Sequence, residues 1–199
     1  YRGDPLALYA AIRPTAAAGY GGAVFDGSHW LLSFSPELFV SLRGNSARTK
    51  PMKGTRPRGR DAAQDRTHRE ELARSVKDRA ENLMIVDLMR NDLSRVCEPG
   101  SVRVEAPFTV ETYPTVHQMV STIEATLQPG KGAMDMVRAL FPCGSITGAP
   151  KIRAMELIDA VETRPRGPYC GAIGWIERPA NGDPAQGPSR AAFNVAIRT

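Results

Sequence analysis

The chain has 199 residues, 42% of them apolar and 24% charged, which is ordinary for one substantial globular domain with a buried core. No run of eighteen or more apolar residues is present, so the sequence excludes a membrane-spanning helix. The formal net charge of +5 is compatible with nucleic acid, an anionic membrane or a small anionic substrate, and does not discriminate among them.

The first half of the chain begins with short extended segments and then becomes helical. The predicted strands span residues 22–25, 29–34, 38–42 and 46–52. The first two flank Asp26-Gly27 and predict a hairpin. From Asp61 to about Val96, apolar residues recur at steps of three and four, which predicts helical structure.

The second half mixes both kinds of element. Extended structure is predicted for Ser101–Val110, Cys170–Glu177 and Ala191–Arg198, short helices for Gly132–Leu140 and for about 149–161, and a surface loop for Arg178–Ser189. Residues 115–126 are compatible with a strand or a helix, because they are rich in β-branched side chains. The chain lacks a regular βαβ alternation, so an α+β domain is predicted.

Three segments combine side chains that suit chemistry. They are Ser35–Phe39 with Lys50–Gly59, then Lys77–Leu93, and then Phe141–Glu156. In the second, Asp78, Glu81 and Asn82 share a helix face through their i, i+3 and i+4 spacing. Their oxygen atoms suit magnesium, although a solvated acidic face has the same pattern. The third segment is a glycine-rich helix start, which attracts anions.

With these motifs in this order, the chain resembles the chorismate-binding enzyme family from about Gly22 to Thr199. That family includes the anthranilate, aminodeoxychorismate, isochorismate and salicylate synthases. The resemblance implies an α+β fold like that of anthranilate synthase component I, with antiparallel sheets layered with helices. It also implies that residues 1–199 form a partial catalytic domain, without the family's N-terminal half and C-terminal end.

Lys53, in Pro51-Met52-Lys53-Gly54-Thr55, is similar to the nucleophilic lysine of the aminodeoxychorismate synthase branch. The resemblance implies conversion of chorismate and ammonia to 4-amino-4-deoxychorismate for folate biosynthesis, through a lysine adduct at C2. Glu37 matches the general acid, which requires a raised pKa in a poorly solvated pocket. We expect partial burial and the neighbouring cations Lys50 and Arg56 to disfavour the ammonium form of Lys53.

Further site residues follow from the same resemblance. The implied substrate-binding residues are Ser145, Thr147, Gly148, Lys151, Tyr169 and Arg198. Glu81 and Asp78 are the implied magnesium ligands, with the remaining ligands beyond Thr199. His117 matches a catalytic histidine near the leaving hydroxyl, although a structural histidine fits its pattern almost as well. Lys151 could equally point to solvent, and Arg90, Asn91 and Asp92 are interpreted as a polar structural network.

Two alternatives to this function remain. One is an anthranilate synthase component I, which adds the amine at C2 and eliminates pyruvate. The other is a non-catalytic fragment with the same fold, whereas a nucleic-acid-binding module is a distant third. The resemblance implies chorismate as substrate and ammonia supplied by a glutamine amidotransferase subunit or domain, with no nucleic-acid or membrane partner. The odd number of scattered cysteines predicts reduced thiols in the cytoplasm.

Overall fold

The computed structural model describes residues 2–16, 18–177 and 190–199. The helices are α1 (Pro5–Ala16), α2 (Ala62–Arg74), α3 (Val76–Ser94), α4 (Ala133–Leu140) and α5 (Lys151–Val161). The strands are β1 (Gly22–Phe25), β2 (Trp30–Ser33), β3 (Leu38–Arg43), β4 (Ser46–Lys50), β5 (Met52–Pro57), β6 (Arg103–Thr112), β7 (Val116–Thr126), β8 (Ala172–Glu177) and β9 (Arg190–Val195). Strand pairings among the described residues are antiparallel, and the predicted α+β class is confirmed.

The long strand β7 organises the larger sheet. One edge of β7 pairs with two strands, with β4 over Ile123–Thr126 and with β5 over Val116–Val120. The other edge of β7 pairs with β6. From β4 the sheet continues through β3 and β9 to β8. Pro51 separates β4 from β5 because proline has no N–H to donate to the ladder. The predicted strand 46–52 is therefore two strands, and residues 115–126 form a strand.

Helices α2 and α3 pack against β5 and β7. Asp61 begins α2 by accepting hydrogen bonds from the N–H groups of Ala63 and Gln64, both at 2.9 Å. Ser75 ends α2 and caps α3 by accepting from the N–H of Asp78. The predicted helical region from Asp61 to about Val96 is thus divided into two helices, whose meeting point places Asp78 in a first helical turn.

One hydrophobic core joins the sheet to α3 and α4. It contains Phe39 and Val40 from the sheet, Met89 and Leu93 from α3, and Met136 from α4, all at most 1% exposed. Burial of such side chains stabilises the fold by roughly 1.5–3 kcal/mol each. The core lies behind the segments that carry the predicted site and holds their backbones in place.

The remaining predicted elements are confirmed with small changes of boundary. The hairpin, β6, α4 and α5 lie where the sequence predicts them. Strand β8 begins at Ala172 because Cys170 has a φ of 65°, and β9 ends at Val195. The predicted loop Arg178–Ser189 lies outside the described residues. None of the described helices is both long and apolar enough to cross a membrane.

Candidate functional site

A cleft of about 300 Å³ lies where the start of β3, strand β5, a short 3-10 helix (Gly144–Ile146) and the residues after β9 meet. Its polar lining side chains are Glu37, Lys53, Thr55, Gln118, Ser145 and Arg198. Four of these belong to the predicted site, although their positions are spread over more than 160 residues of sequence. The predicted acid and the predicted nucleophile therefore share one cavity.

Glu37 lies at the buried end of this cleft. Only 3% of the residue is exposed, and one carboxylate oxygen, Oε1, has no hydrogen-bond partner among the described residues. Burial raises the pKa of Glu37 from 4.5 to about 7, against the opposing effects of the Ser145 hydroxyl, the Met52 N–H and the Lys53 charge. The direction of this shift is the one that a general acid requires, because a carboxyl with a raised pKa can hold a proton near neutral pH.

A bulge in β5 directs Lys53 towards the cleft. Met52 pairs with Val120 and Thr55 with Gln118, so β5 uses one residue more than β7 over this interval. Gly54 occupies the bulge with a φ of +93°, and a Cβ there would lie 2.9 Å from the Cβ of Asp78. Glycine is needed at this position for both reasons. The ammonium of Lys53 donates to the carbonyl oxygen of Ser145 at 2.9 Å.

Each of the two cations near Lys53 is paired with a carboxylate. Lys50 Nζ lies 2.6 Å from the carboxylate of Glu111, and Arg56 lies 3.0 Å from that of Asp78. Each positive charge is thus compensated by its own carboxylate, and the expected effect of Lys50 and Arg56 on Lys53 stays a prediction.

In the glycine-rich segment Phe141–Glu156, some of the predicted residues line the cleft and others stabilise the turn before α5. Ser145 contributes its carbonyl to Lys53, and its hydroxyl lies 3.3 Å from Cys143 Sγ. Thr147 donates its hydroxyl to the carbonyl of Cys143 at 3.1 Å, which stabilises the turn. Gly148 has a φ of 143°, and a Cβ there would lie 3.3 Å from that of Ala154. Thr147 and Gly148 shape the loop without lining the cleft.

Lys151 and Tyr169, predicted to bind the substrate, are not among the residues that line the cleft. The ammonium of Lys151 is largely buried and donates to Asp92 Oδ2 at 2.5 Å and to the carbonyl of Leu140 at 2.7 Å. This contact ties α5 to α3 and α4, so Lys151 and Asp92 form an interior ion pair. Tyr169 lies in the turn before β8 and is 54% exposed.

His117 also points away from the cleft. Its Nε2 is hydrogen-bonded to Asp65 Oδ1 on α2 and its Nδ1 to the Thr112 hydroxyl, both at 3.0 Å. Successive side chains of a strand face opposite sides of the sheet, so Gln118 faces the cleft while His117 faces α2. With both ring nitrogens engaged, the geometry favours the structural interpretation of His117. Gln118 and Thr55 are the polar cleft residues that the sequence analysis did not include.

The predicted magnesium face is partly occupied by protein contacts. Hydrogen bonding from Ser75 and from Arg56 lowers the pKa of Asp78, which is only 8% exposed. Asn82 is buried, accepts from the Ser121 hydroxyl and donates to the carbonyl of Met119. In the described ranges no three His, Cys, Asp or Glu side chains are grouped to hold a metal. Glu81, 3.5 Å from Lys77, remains as one candidate ligand.

Comparisons with known proteins agree with this fold. Residues 1–199 match the chorismate binding enzyme family. The aminodeoxychorismate synthase component 1 of Klebsiella aerogenes is 49% identical over 183 residues, which cover 92% of this chain and 41% of that protein. The anthranilate synthase component 1 of Saccharolobus solfataricus is 41% identical over 199 residues, covering 100% of this chain and 45% of that protein.

Among solved structures, the crystal structure of anthranilate synthase component I from Streptococcus pneumoniae TIGR4 superposes with a TM-score of 0.84 at 33% identity. The match covers 100% of this chain and 41% of that one. The chain therefore spans less than half the length of these relatives. Since the family match extends over all 199 residues, the chain belongs to the chorismate binding enzyme family.

Proposed function

We propose that this chain is part of the catalytic component of an aminodeoxychorismate synthase, which converts chorismate and ammonia to 4-amino-4-deoxychorismate. The observation that carries the proposal is the shared cleft of Glu37, whose pKa is about 7, and Lys53. An acid that holds its proton near neutral pH and an amine at the same cavity are the two groups that such an exchange requires. The similarity to aminodeoxychorismate synthase component 1 supports this reading.

In the first step, the uncharged amine of Lys53 attacks C2 of chorismate. A bond forms between Nζ and C2, the ring electrons shift, and the bond between C4 and its hydroxyl oxygen breaks. Hydroxide is a poor leaving group, so Glu37 donates its proton and water departs. The buried position of Glu37 suits this role because burial favours the protonated carboxyl.

In the second step, ammonia adds at C4 while the bond between C2 and Lys53 breaks. The ring electrons return, and the lysine leaves as a neutral amine. The new C4 nitrogen carries one proton too many, which the Glu37 carboxylate takes back. Lys53 and Glu37 are both restored, and the net reaction exchanges ammonia for water.

Arg198 and Ser145 are proposed to bind the substrate. Arg198 lines the cleft, and its planar guanidinium can meet a carboxylate through two parallel hydrogen bonds. Ser145 accepts a hydrogen bond from Lys53 through its carbonyl oxygen and also lines the cleft. Together they would place an anionic ring compound between Lys53 and Glu37.

Magnesium is proposed as the cofactor, with Glu81 as one ligand. Magnesium often keeps several waters and takes only one or two protein carboxylates, which agrees with a single accessible carboxylate on this helix face. A bound ion would supply positive charge for a substrate carboxylate. Asp78 is a weaker candidate because Arg56 already binds it.

The proposal also includes a partner and a location. The "component 1" in the names of several relatives implies a second component, for which we propose a glutamine amidotransferase that supplies ammonia. We place the protein in the cytoplasm, where its three buried, unpaired cysteines would remain reduced.

The test uses the full-length protein with chorismate, ammonium and magnesium, in the wild type and a Lys53→Ala variant. Without ammonium, the wild type should gain the mass of chorismate minus one water, whereas Lys53→Ala should form no adduct. Lys77→Ala, which removes an exposed lysine from α3, is the matched control and should retain the adduct. An undiminished adduct in Lys53→Ala would refute the assignment of the nucleophile.

Anthranilate synthesis is the second candidate, because an anthranilate synthase component 1 is 41% identical over 199 residues. The two activities differ in their products. Anthranilate is a fluorescent aromatic compound formed together with pyruvate, whereas aminodeoxychorismate retains the pyruvyl group and is not an aromatic fluorophore. Fluorescence and pyruvate release in the same assay would support anthranilate synthesis instead.

A further inference from the structure

Gln118 is a cleft residue to which the proposed mechanism assigns no role. Its side chain faces the cavity shared by Glu37 and Lys53 and is largely buried, with 7% of the residue exposed. Its amide nitrogen donates to the hydroxyl oxygen of Thr55 at 3.3 Å. Because β5 and β7 pair at these two residues, the sheet itself fixes the contact.

This contact determines which end of the amide faces the cavity. The nitrogen lies towards Thr55, so the carbonyl oxygen Oε1 remains available as an acceptor. Two other acceptors of the cleft are already engaged: the Thr55 hydroxyl receives Gln118, and the Ser145 carbonyl receives Lys53. Glu37 Oε1 has no partner, but it belongs to the carboxyl group that the proposed mechanism uses for proton transfer. Arg198 only donates hydrogen bonds, and in the proposed mechanism Lys53 is bonded to C2 of the substrate when ammonia attacks.

We infer that Gln118 Oε1 binds the attacking ammonia, an inference that rests on the proposed function. Ammonia has three N–H donors and one lone pair, and the lone pair must remain free to form the bond to C4. A donor such as an arginine would occupy the lone pair and block the attack. An acceptor binds an N–H instead, and Gln118 offers a neutral acceptor at this cavity.

The neutrality of Gln118 matters because ammonium, which has no lone pair, cannot attack. A carboxylate at this position would stabilise ammonium, and an amide does not carry the charge to do so. The positive side chain of Arg198 lines the same cavity and opposes the entry of a cation. Gln118 thus aligns uncharged ammonia for attack.

The test separates ammonia use from chorismate use in the full-length protein supplied with external ammonium. Gln118→Met keeps the approximate length of the side chain but removes the amide, while Gln118→Asn withdraws the amide by one methylene. Rates are measured against ammonium concentration at saturating chorismate. Adduct formation on Lys53 is measured separately by intact mass, without ammonium.

We expect both variants to raise KM for ammonium about 3- to 10-fold, the effect of losing one neutral hydrogen bond. Adduct formation should remain as in the wild type, which also shows that the variants fold. Gln64→Leu, which removes an exposed glutamine amide on α2, is the matched control and should change neither quantity.

An unchanged KM for ammonium in both Gln118 variants would overturn the inference. A loss of adduct formation in both variants would also overturn it, because Gln118 would then act on chorismate or on the fold. If the wild type forms the adduct but KM for ammonium is unchanged in the variants, the Gln118 inference fails while the proposed function stands. A wild type that forms no adduct and no product overturns both.

Discussion

Replacing Glu37 by glutamine should remove a pH-dependent part of the free energy of unfolding. Burial raises the pKa of Glu37 from 4.5 to about 7, so the folded protein keeps a proton that the unfolded chain releases. Stability therefore falls as pH rises between these values. At about 1.4 kcal/mol per pH unit, the loss amounts to about 3 kcal/mol. The contribution is complete below pH 4.5 and is lost as pH rises through about 7.

The assay is urea unfolding of the full-length protein at several pH values between 4.5 and 8. Glutamine is neutral throughout this range, so Glu37→Gln should gain about 3 kcal/mol relative to wild type as pH rises. Glu162→Gln is the control: Arg166 lowers the pKa of this exposed carboxyl, so its contribution is lost only as pH falls below its ordinary range. That variant should follow the wild-type pH dependence above pH 5.

The same variant should lose activity because it cannot protonate the leaving hydroxyl. Loss of a general acid slows a reaction by about 10²- to 10⁴-fold, which is measured as the rate of adduct formation on Lys53. A difference in stability between Glu37→Gln and wild type that stays constant from pH 5 to 8 would refute the reasoning. Glu37 would then be ionised in the folded protein and could not be the proton donor.

Two further substitutions test the cleft wall and the interior ion pair. Gly54→Ala should reduce the free energy of unfolding by at least about 1 kcal/mol more than Gly44→Ala, because both have positive φ but only Gly54 meets a neighbour, Asp78. Equal losses in urea unfolding would contradict this. Lys151→Met should reduce it by about 3 kcal/mol by leaving Asp92 buried without its partner. KM for chorismate should be unchanged, and a raised KM would restore Lys151 to the binding site.

Local patterns in the sequence were sufficient for the main elements, because helical periodicity and turn residues are read from neighbouring positions. Glu37 and Lys53 were singled out by the resemblance to the chorismate-binding family, and the structure places both at one cleft. The bulge at Gly54 also has a local signal, since a glycine within an extended segment is typical of a bulge. The sequence does not predict the contact with Asp78, which makes glycine necessary at this position.

The assignments that failed depend on contacts between distant segments. Lys151 meets Asp92, 59 positions away, and no local pattern predicts that α5 starts beside α3. The direction in which His117 points depends on the type of element and on which face of the strand the residue occupies. A shift of one residue exchanges the two faces of a strand, and the sequence left residues 115–126 open between helix and strand, so it could not predict that direction.

At Glu37, the protonation that the reaction needs and the stability of the folded protein at neutral pH make opposite demands. A hydrogen bond to Glu37 Oε1 would stabilise the carboxylate and the folded protein at neutral pH, but it would also lower the pKa and remove the proton that the reaction needs. An unpartnered buried oxygen beside a lysine is therefore what the proposed reaction requires of this fold.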